Sequence, residues 1–438
     1  MRGVYSAVLR LATPAYLARL LWRSRSEPAY RSHLGERFGF AGPDAEPGRL
    51  WIHAVSLGEA RAAEPLVAAL RQRRPGLRLL LTHGTATGRA AGADLLREGD
   101  QQAWLPYDTP GAVRRFLRAQ RPSLGVLMET EVWPNLLHEA ARAGVPMVLA
   151  NARLSERSLR KGQRLAALMR PAVQSLAAVL AQTDADAVRL REAGARAVTV
   201  AGNLKFDLAP DAALIARGQA WRQALGRPVV LMAVSREGEE SELLQIWAQT
   251  GSSPADGHDA PPLLLIVPRH PQRFDEVATL VQRAGLSLAR RSTFADDPPP
   301  SAREAQVWLG DSLREMPLYY GLADVALLGG SFAPLGGQNL IEAAACGCPI
   351  VLGPHTFNFA LAAELALEAG AAWRAGDLSA ALNQVRAVLA SPHERSAAVA
   401  RALTFAQAHR GAADRMAEAI LARVAPDITG SAPSLPIR

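Results

Sequence analysis

The stretch Gly329 to Phe359 reads GGSFAPLGGQNLIEAAACGCPIVLGPHTFNF. It leaves an apolar run, Asp324-Val325-Ala326-Leu327-Leu328, that reads as a buried strand. A glycine-rich turn follows. Asn339-Leu340-Ile341-Glu342 then opens a helix that Ala343 to Cys346 continue and Gly347 ends, and Pro349 to Leu352 is the next strand. Such a strand, loop, helix, strand unit is the crossover of a parallel sheet. Loop amides beside a helix N-terminus suit a phosphate. The stretch lacks the lysine of a Walker loop, and the chain contains no GxGxxG. Asn339-x-x-Glu342 carries two readings. It is a capping pair, or the loop takes a nucleotide phosphate while Glu342 takes ribose hydroxyls.

Outward from this unit, the α/β rhythm fills the chain. A first series of strands is expected at 50–54, 77–82, 102–105, 124–128, 146–150, 178–182 and 197–200, with helical patterns between. A second runs through 228–234, 263–267, 286–290, 306–309, 324–328 and 349–352. The join falls near 206–226, and Pro/Gly/Asp-rich stretches at 251–262 and 296–302 read as surface loops. The expected organisation is an N-terminal membrane anchor and basic segment at 1–40, a first Rossmann-like domain at 41–210, a second at 211–425 and a flexible tail at 426–438. Two such domains face to face leave a cleft, with ligands at the carboxyl ends of strands from both halves.

The 438 residues suit two or three domains, and 49% hydrophobic with 21% charged residues is a globular balance. Cys346 and Cys348 stand too close for a comfortable disulfide and read as reduced packing residues. No His or Cys sits near them at ligand spacing, which argues against a metal. The net charge of +8 is carried almost wholly by arginine and suits an anionic partner. No basic run is interleaved with aromatics, which argues against nucleic acid. The apolar segment Val4 to Trp22 is interrupted by Arg10, Pro14 and Arg19, whereas a clean span needs about 20 predominantly apolar residues. Arginines 2, 10, 19, 23, 25, 31 and 37, with Tyr16 and Trp22, suit a shallow anchor on an anionic leaflet. The alternative is an apolar helix packed on the domain.

Several strand ends carry residues suited to chemistry. Ser56-Leu57-Gly58-Glu59 follows the first strand as a capping box, or as a carboxylate placed to act as general base. A helix N-terminus there would favour the ionised form. Glu129 follows the strand 124–128 directly, while Glu131 stands as a cap for the helix opening near Pro134. Lys205, in Gly202-Asn203-Leu204-Lys205-Phe206-Asp207, could meet a carboxylate or phosphate or be simply solvated. Arg269, in Val267-Pro268-Arg269-His270-Pro271, is set to meet a phosphate. Ser235 to Glu240 is a further anion site or a further cap.

Together the words SLGE, METEVWPN, LANARLS, GNLKFD, VPRHPQRF, EMPLYY, GGQNLIE and GPHTFNFA closely resemble the Kdo transferases (3-deoxy-D-manno-octulosonic acid transferases), glycosyltransferases of the GT-B fold. The resemblance covers nearly the whole chain. It implies transfer of Kdo from CMP-Kdo to the lipid A precursor, lipid IVA, on the cytoplasmic face of the inner membrane, without a metal or other cofactor. Carried over by motif, Glu59 is the catalytic base, supported by Glu129 and Lys205. Pro268, Arg269, Arg314, Glu315, Met316, Asn339 and Glu342 would hold CMP. Two positions depart from the family pattern, which often has His where Gln338 and Arg236 stand. The alternatives are a GT-B-like UDP-sugar 2-epimerase, and a non-catalytic peripheral membrane scaffold.

Overall fold

The computed structural model describes residues 1–25, 27–40, 47–250 and 260–424, with only the backbone at Thr250. Most of the loop expected at 251–262, and all of the tail expected at 426–438, lie outside the described residues. The chain forms two units, one of Met1–Leu208 with the segment from Arg410 onward, the other of Ala209–His409.

The first unit has seven parallel strands, the five central ones buried on both faces and the two edge strands only partly buried. They are β1 (Leu50–His53), β2 (Leu79–His83), β3 (Gln101–Trp104), β4 (Leu124–Met128), β5 (Met147–Ala152), β6 (Ala178–Ala181) and β7 (Val198–Val200). Their order is β3-β2-β1-β4-β5-β6-β7. Ile52 pairs with Leu81 on one side and Val126 on the other, so the order reverses at β1/β4. Gly125 keeps this seam closed, since a Cβ there would stand 2.4 Å from Met147 Sδ and 2.8 Å from the Trp51 ring.

The second unit repeats the plan with β8 (Val229–Ser235), β9 (Leu263–Pro268), β10 (Leu288–Arg290), β11 (Val307–Leu309), β12 (Val325–Leu328), β13 (Ile350–Leu352) and β14 (Ala372–Arg374). Its order, β10-β11-β9-β8-β12-β13-β14, reverses at β8/β12. Ligands of open α/β sheets bind outside such reversal points, at the carboxyl ends of the strands. Both reversal points carry motifs singled out above. The short, half-buried β14 has no counterpart among the expected strands.

Two boundaries differ from those expected. The helix Ala412–Leu421 packs in the core of the first unit, not the second, because Met416, Ala417 and Ile420 join Ala63, Leu66 and Val67 of the helix Leu57–Arg73. The N-terminal segment is also part of the first unit. Tyr5 donates to Asp108 Oδ2 at 2.9 Å, Ser6 to Asn135 Oδ1 at 3.1 Å, and Glu36 Oε2 accepts from Trp104 N at 2.8 Å. The remaining face of the helix Arg2–Arg23 leaves Val4, Val8, Leu11, Tyr16, Leu21 and Trp22 exposed. No helix among the described residues is long and apolar enough to cross a membrane.

Candidate active site

Ser56 caps the helix Leu57–Arg73, its hydroxyl accepting from Glu59 N at 3.4 Å. The Glu59 carboxylate turns back to accept from Val55 N at 2.5 Å. The capping geometry is therefore real, and it aims the carboxylate at the end of β1. Its pKa is pushed up from 4.5 to about 7, first by burial, then by the charge of Glu131 and, behind the pull of Val55 N, by Glu129. The amides of Val55 and Ser56 draw it down, but burial and two like charges outweigh that pull. The sequence expectation of a favoured carboxylate is corrected accordingly. A carboxyl group poised near neutrality can take a proton at working pH and release it again. The two buried histidines on neighbouring strand ends cannot: burial pushes His53 down to about 3 and His83 to about 4.

Glu129 follows β4 with a left-handed backbone, φ 54°, and is 8% exposed. Its carboxylate stands 3.9 Å from Lys205 Nζ and 3.5 Å from Arg153 Nε. Asn151, also left-handed at φ 51° and fully buried, accepts from Leu204 N at 3.1 Å and so pins the turn Leu204–Asp207 that carries Lys205. Left-handed non-glycine residues are uncommon and cluster at functional sites. Glu131 is not the cap of the next helix. Asp108 fills that role, accepting from Asn135 N at 3.1 Å and Leu136 N at 2.7 Å. Glu131 instead accepts from Trp133 Nε1 at 2.7 Å, with its pKa raised by burial. The first unit thus brings Glu59, Glu129 and Lys205 near one another and places Glu131, Asn151 and Arg153 beside them. The second acid of METE and the asparagine and arginine of LANARLS were the sequence signals for them.

In the second unit part of the glycine loop is held from within the chain. Three of its amides are engaged by a side chain: Glu239, 2% exposed, accepts from Gly330 N at 2.8 Å, Phe332 N at 3.2 Å and Ala333 N at 3.1 Å, and also from Arg236 N at the end of β8 at 2.9 Å. An internal carboxylate thus takes the place of a ligand anion at the start of the loop. A bulge at Val234, φ 58°, turns the end of β8 toward the loop, and a Cβ at Gly329 would stand 2.4 Å from Val234 O. Glu240 and Arg273 brace this segment with a buried pair at 2.6 Å. The two departures from the family pattern are neighbours: Gln338 Nε2 and Arg236 Cγ lie 3.3 and 3.5 Å from where a Gly330 Cβ would be.

The seven residues expected to hold CMP all lie in this unit. Pro268 ends β9, and Arg269 N donates to Ser235 O at 3.0 Å, leaving an exposed side chain at the mouth of β8. Arg314 is left-handed at φ 64°. Glu315 accepts from Arg291 at 2.8 Å and from Ser312 Oγ at 2.5 Å, and Met316 opens the helix Met316–Leu322. That helix crosses Ala212–Leu225 at two glycines: a Cβ on Gly218 would stand 2.1 Å from Leu318 O, and one on Gly321 2.5 Å from Ile215 O. Asn339 caps Leu340–Ala345, accepting from Ile341 N at 3.2 Å. Glu342 faces Tyr320, whose phenol is pushed up by burial and then by that carboxylate. Cys346 and Cys348 are buried free thiols with raised pKa values, in keeping with packing roles. Among the described residues no three or more His, Cys, Asp or Glu gather in a group that could hold a metal ion.

A family model described as 3-deoxy-D-manno-octulosonic-acid transferase (kdotransferase) matches residues 32–208. The 3-deoxy-D-manno-octulosonic acid transferase of Bordetella pertussis is 50% identical over 435 residues, covering 96% of this chain and 98% of that one. The enzyme of the same name from Haemophilus influenzae is 33% identical, covering 95% and 97%. Among solved structures, Anabaena HepE in complex with UDP matches with a TM-score of 0.57 at 16% identity, over 86% of this chain and 99% of that one. At that identity the likeness is one of fold, and the fold is of the GT-B type.

Proposed function

This chain belongs to the 3-deoxy-D-manno-octulosonic acid transferase family, and we propose that it moves Kdo from CMP-Kdo to the lipid A precursor, lipid IVA, in lipopolysaccharide synthesis. The acceptor is an alcohol whose proton must leave as its oxygen attacks the anomeric carbon. Glu59 takes that proton, CMP departs with the old bond, and a single displacement inverts the centre. The observation that carries this reading is the Glu59 carboxylate, held to Val55 N and raised to about 7 beside Glu131 and Glu129. Lys205 and Glu129 support the transition state. CMP is held by Pro268, Arg269, Arg314, Glu315, Met316, Asn339 and Glu342, with Arg269 meeting the departing phosphate. The reading needs no metal, so transfer should persist in a chelator.

The acceptor is a membrane lipid, so the enzyme works at the cytoplasmic face of the inner membrane. The exposed apolar row Val4, Val8, Leu11 and Trp22, interleaved with Arg10 and Arg19, supports an in-plane anchor on an anionic leaflet. Identity to a Kdo transferase at 50% over nearly the whole chain favours transfer over the epimerase and scaffold alternatives. Mass spectrometry of purified protein incubated with CMP-Kdo and tetraacylated lipid A precursor tests the reading. A lipid product heavier by one or more Kdo units is expected, and an unmodified lipid would sink it.

A further inference from the structure

Asp207 closes the turn that carries Lys205, and its carboxylate reaches across the chain. One oxygen accepts from Gly411 N at 2.5 Å and the other from Ala413 N at 2.6 Å. The chain leaves the first unit after Leu208 and returns at Arg410, so this contact ties the departing turn to the start of the returning helix, 204 positions apart. Gly411, left-handed at φ 93°, lets both amides point at one carboxylate. The negative charge sits at the start of the helix Ala412–Leu421, where the helix dipole favours it.

That helix touches both halves of the catalytic arrangement. Met416, Ala417 and Ile420 share one buried cluster with Ala60, Ala63 and Val67 of the Glu59 helix, and with Leu204 of the Lys205 turn. Arg415 Nε donates to Ala201 O at 2.9 Å, just before that turn, and Asp414 pairs with Arg73 on the Glu59 helix. We propose that Asp207 is a positioning residue: by capping the C-terminal helix it holds the Lys205 turn and the Glu59 helix in one register. The inference rests on the transfer reading above. Lys205 Nζ already stands 3.9 Å from Glu129, so a small slip of the turn separates them.

A purely structural cap gives the comparison. Asp377 caps the helix Leu378–Leu389 in the second unit, accepting from Ala380 N at 2.7 Å. In the full-length chain, Asp207→Ala and Asp377→Ala each remove one helix-capping carboxylate, and both should lower the melting temperature. Initial rates against CMP-Kdo concentration then separate kcat from KM. Asp207→Ala is expected to lose about 10²-fold in kcat, the scale of an ångström of misplacement, with KM for CMP-Kdo unchanged. Asp377→Ala keeps wild-type kcat. Should Asp207→Ala fail to fold, Asp207→Asn keeps one acceptor oxygen and carries the test, with kcat lowered in a folded protein. A folded Asp207 variant with wild-type kcat, or with only KM changed, overturns the inference alone. Wild-type protein that transfers no Kdo overturns the transfer reading and this inference with it.

Discussion

The carboxylate of Glu239 accepts a hydrogen bond of 2.8 Å from the amide of Gly330, joining the ends of β8 and β12 across the reversal point of the second sheet. A glycine-rich loop after a strand ordinarily offers its amides to a ligand phosphate. Here an internal carboxylate occupies three of them and takes a fourth donor from Arg236 N, and its pKa is raised by burial even so. The loop is shaped around an anion that the chain itself supplies.

Glu239→Gln keeps the shape but replaces one acceptor oxygen with an NH₂ that faces backbone donors. Leaving buried amides unsatisfied costs about 1–3 kcal/mol, so the variant should unfold at lower denaturant concentration and bind CMP more weakly. Chemical denaturation and CMP titration measure both. Tighter CMP binding would mean that the loop amides, once released, prefer the ligand.

The rate should follow the ionisation of Glu59. With its pKa at about 7, wild-type kcat/KM is expected to fall as pH drops below neutrality. Glu59→Gln should lose about 10²–10⁴-fold in turnover and lack that acidic limb. Stability has the opposite sense. A carboxyl whose folded pKa is raised contributes stability that is full below 4.5 and lost as pH rises through about 7. Glu59→Gln should therefore gain in melting temperature relative to wild type at pH 8 but not at pH 4. An intact acidic limb in the variant would move the base elsewhere.

Glu131 and Glu129 raise the Glu59 pKa through charge, Glu131 more strongly. Glu131→Gln should shift the acidic limb of the pH–rate profile to lower pH, and Glu129→Gln should shift it less. Glu129→Gln should also lower turnover, because it removes the partner of Lys205. Identical limbs in all three proteins would show that burial alone sets the pKa.

The exposed side chains of the N-terminal helix should govern lipid binding and not stability. Leu11 is 83% and Trp22 68% exposed, so Leu11→Asp and Trp22→Asp should leave the melting temperature near wild type. Sedimentation with vesicles containing anionic lipid should show both variants released to the supernatant. Undiminished co-sedimentation would reject the anchor.

The sequence by itself determined the parallel α/β architecture and the positions of SLGE, METE, GNLKFD and GGQN at strand ends. These features are local: an apolar run, a capping serine or a glycine turn is encoded within a few residues. The short β14, with its exposed Arg374, carries too little apolar signal to be read that way. Only the tertiary structure decided what the motifs do to one another. The pKa of Glu59 depends on burial and on Glu131, far along the chain. Three of the glycine loop's donors were claimed by a glutamate 91 positions before Gly330. The C-terminal helix joined the first unit because Asp207 and the apolar face of Leu57–Arg73 offered its amides and side chains their partners. Burial, charge and amide pairing are properties of neighbours in space, and one chain's local patterns do not specify which distant neighbours will meet.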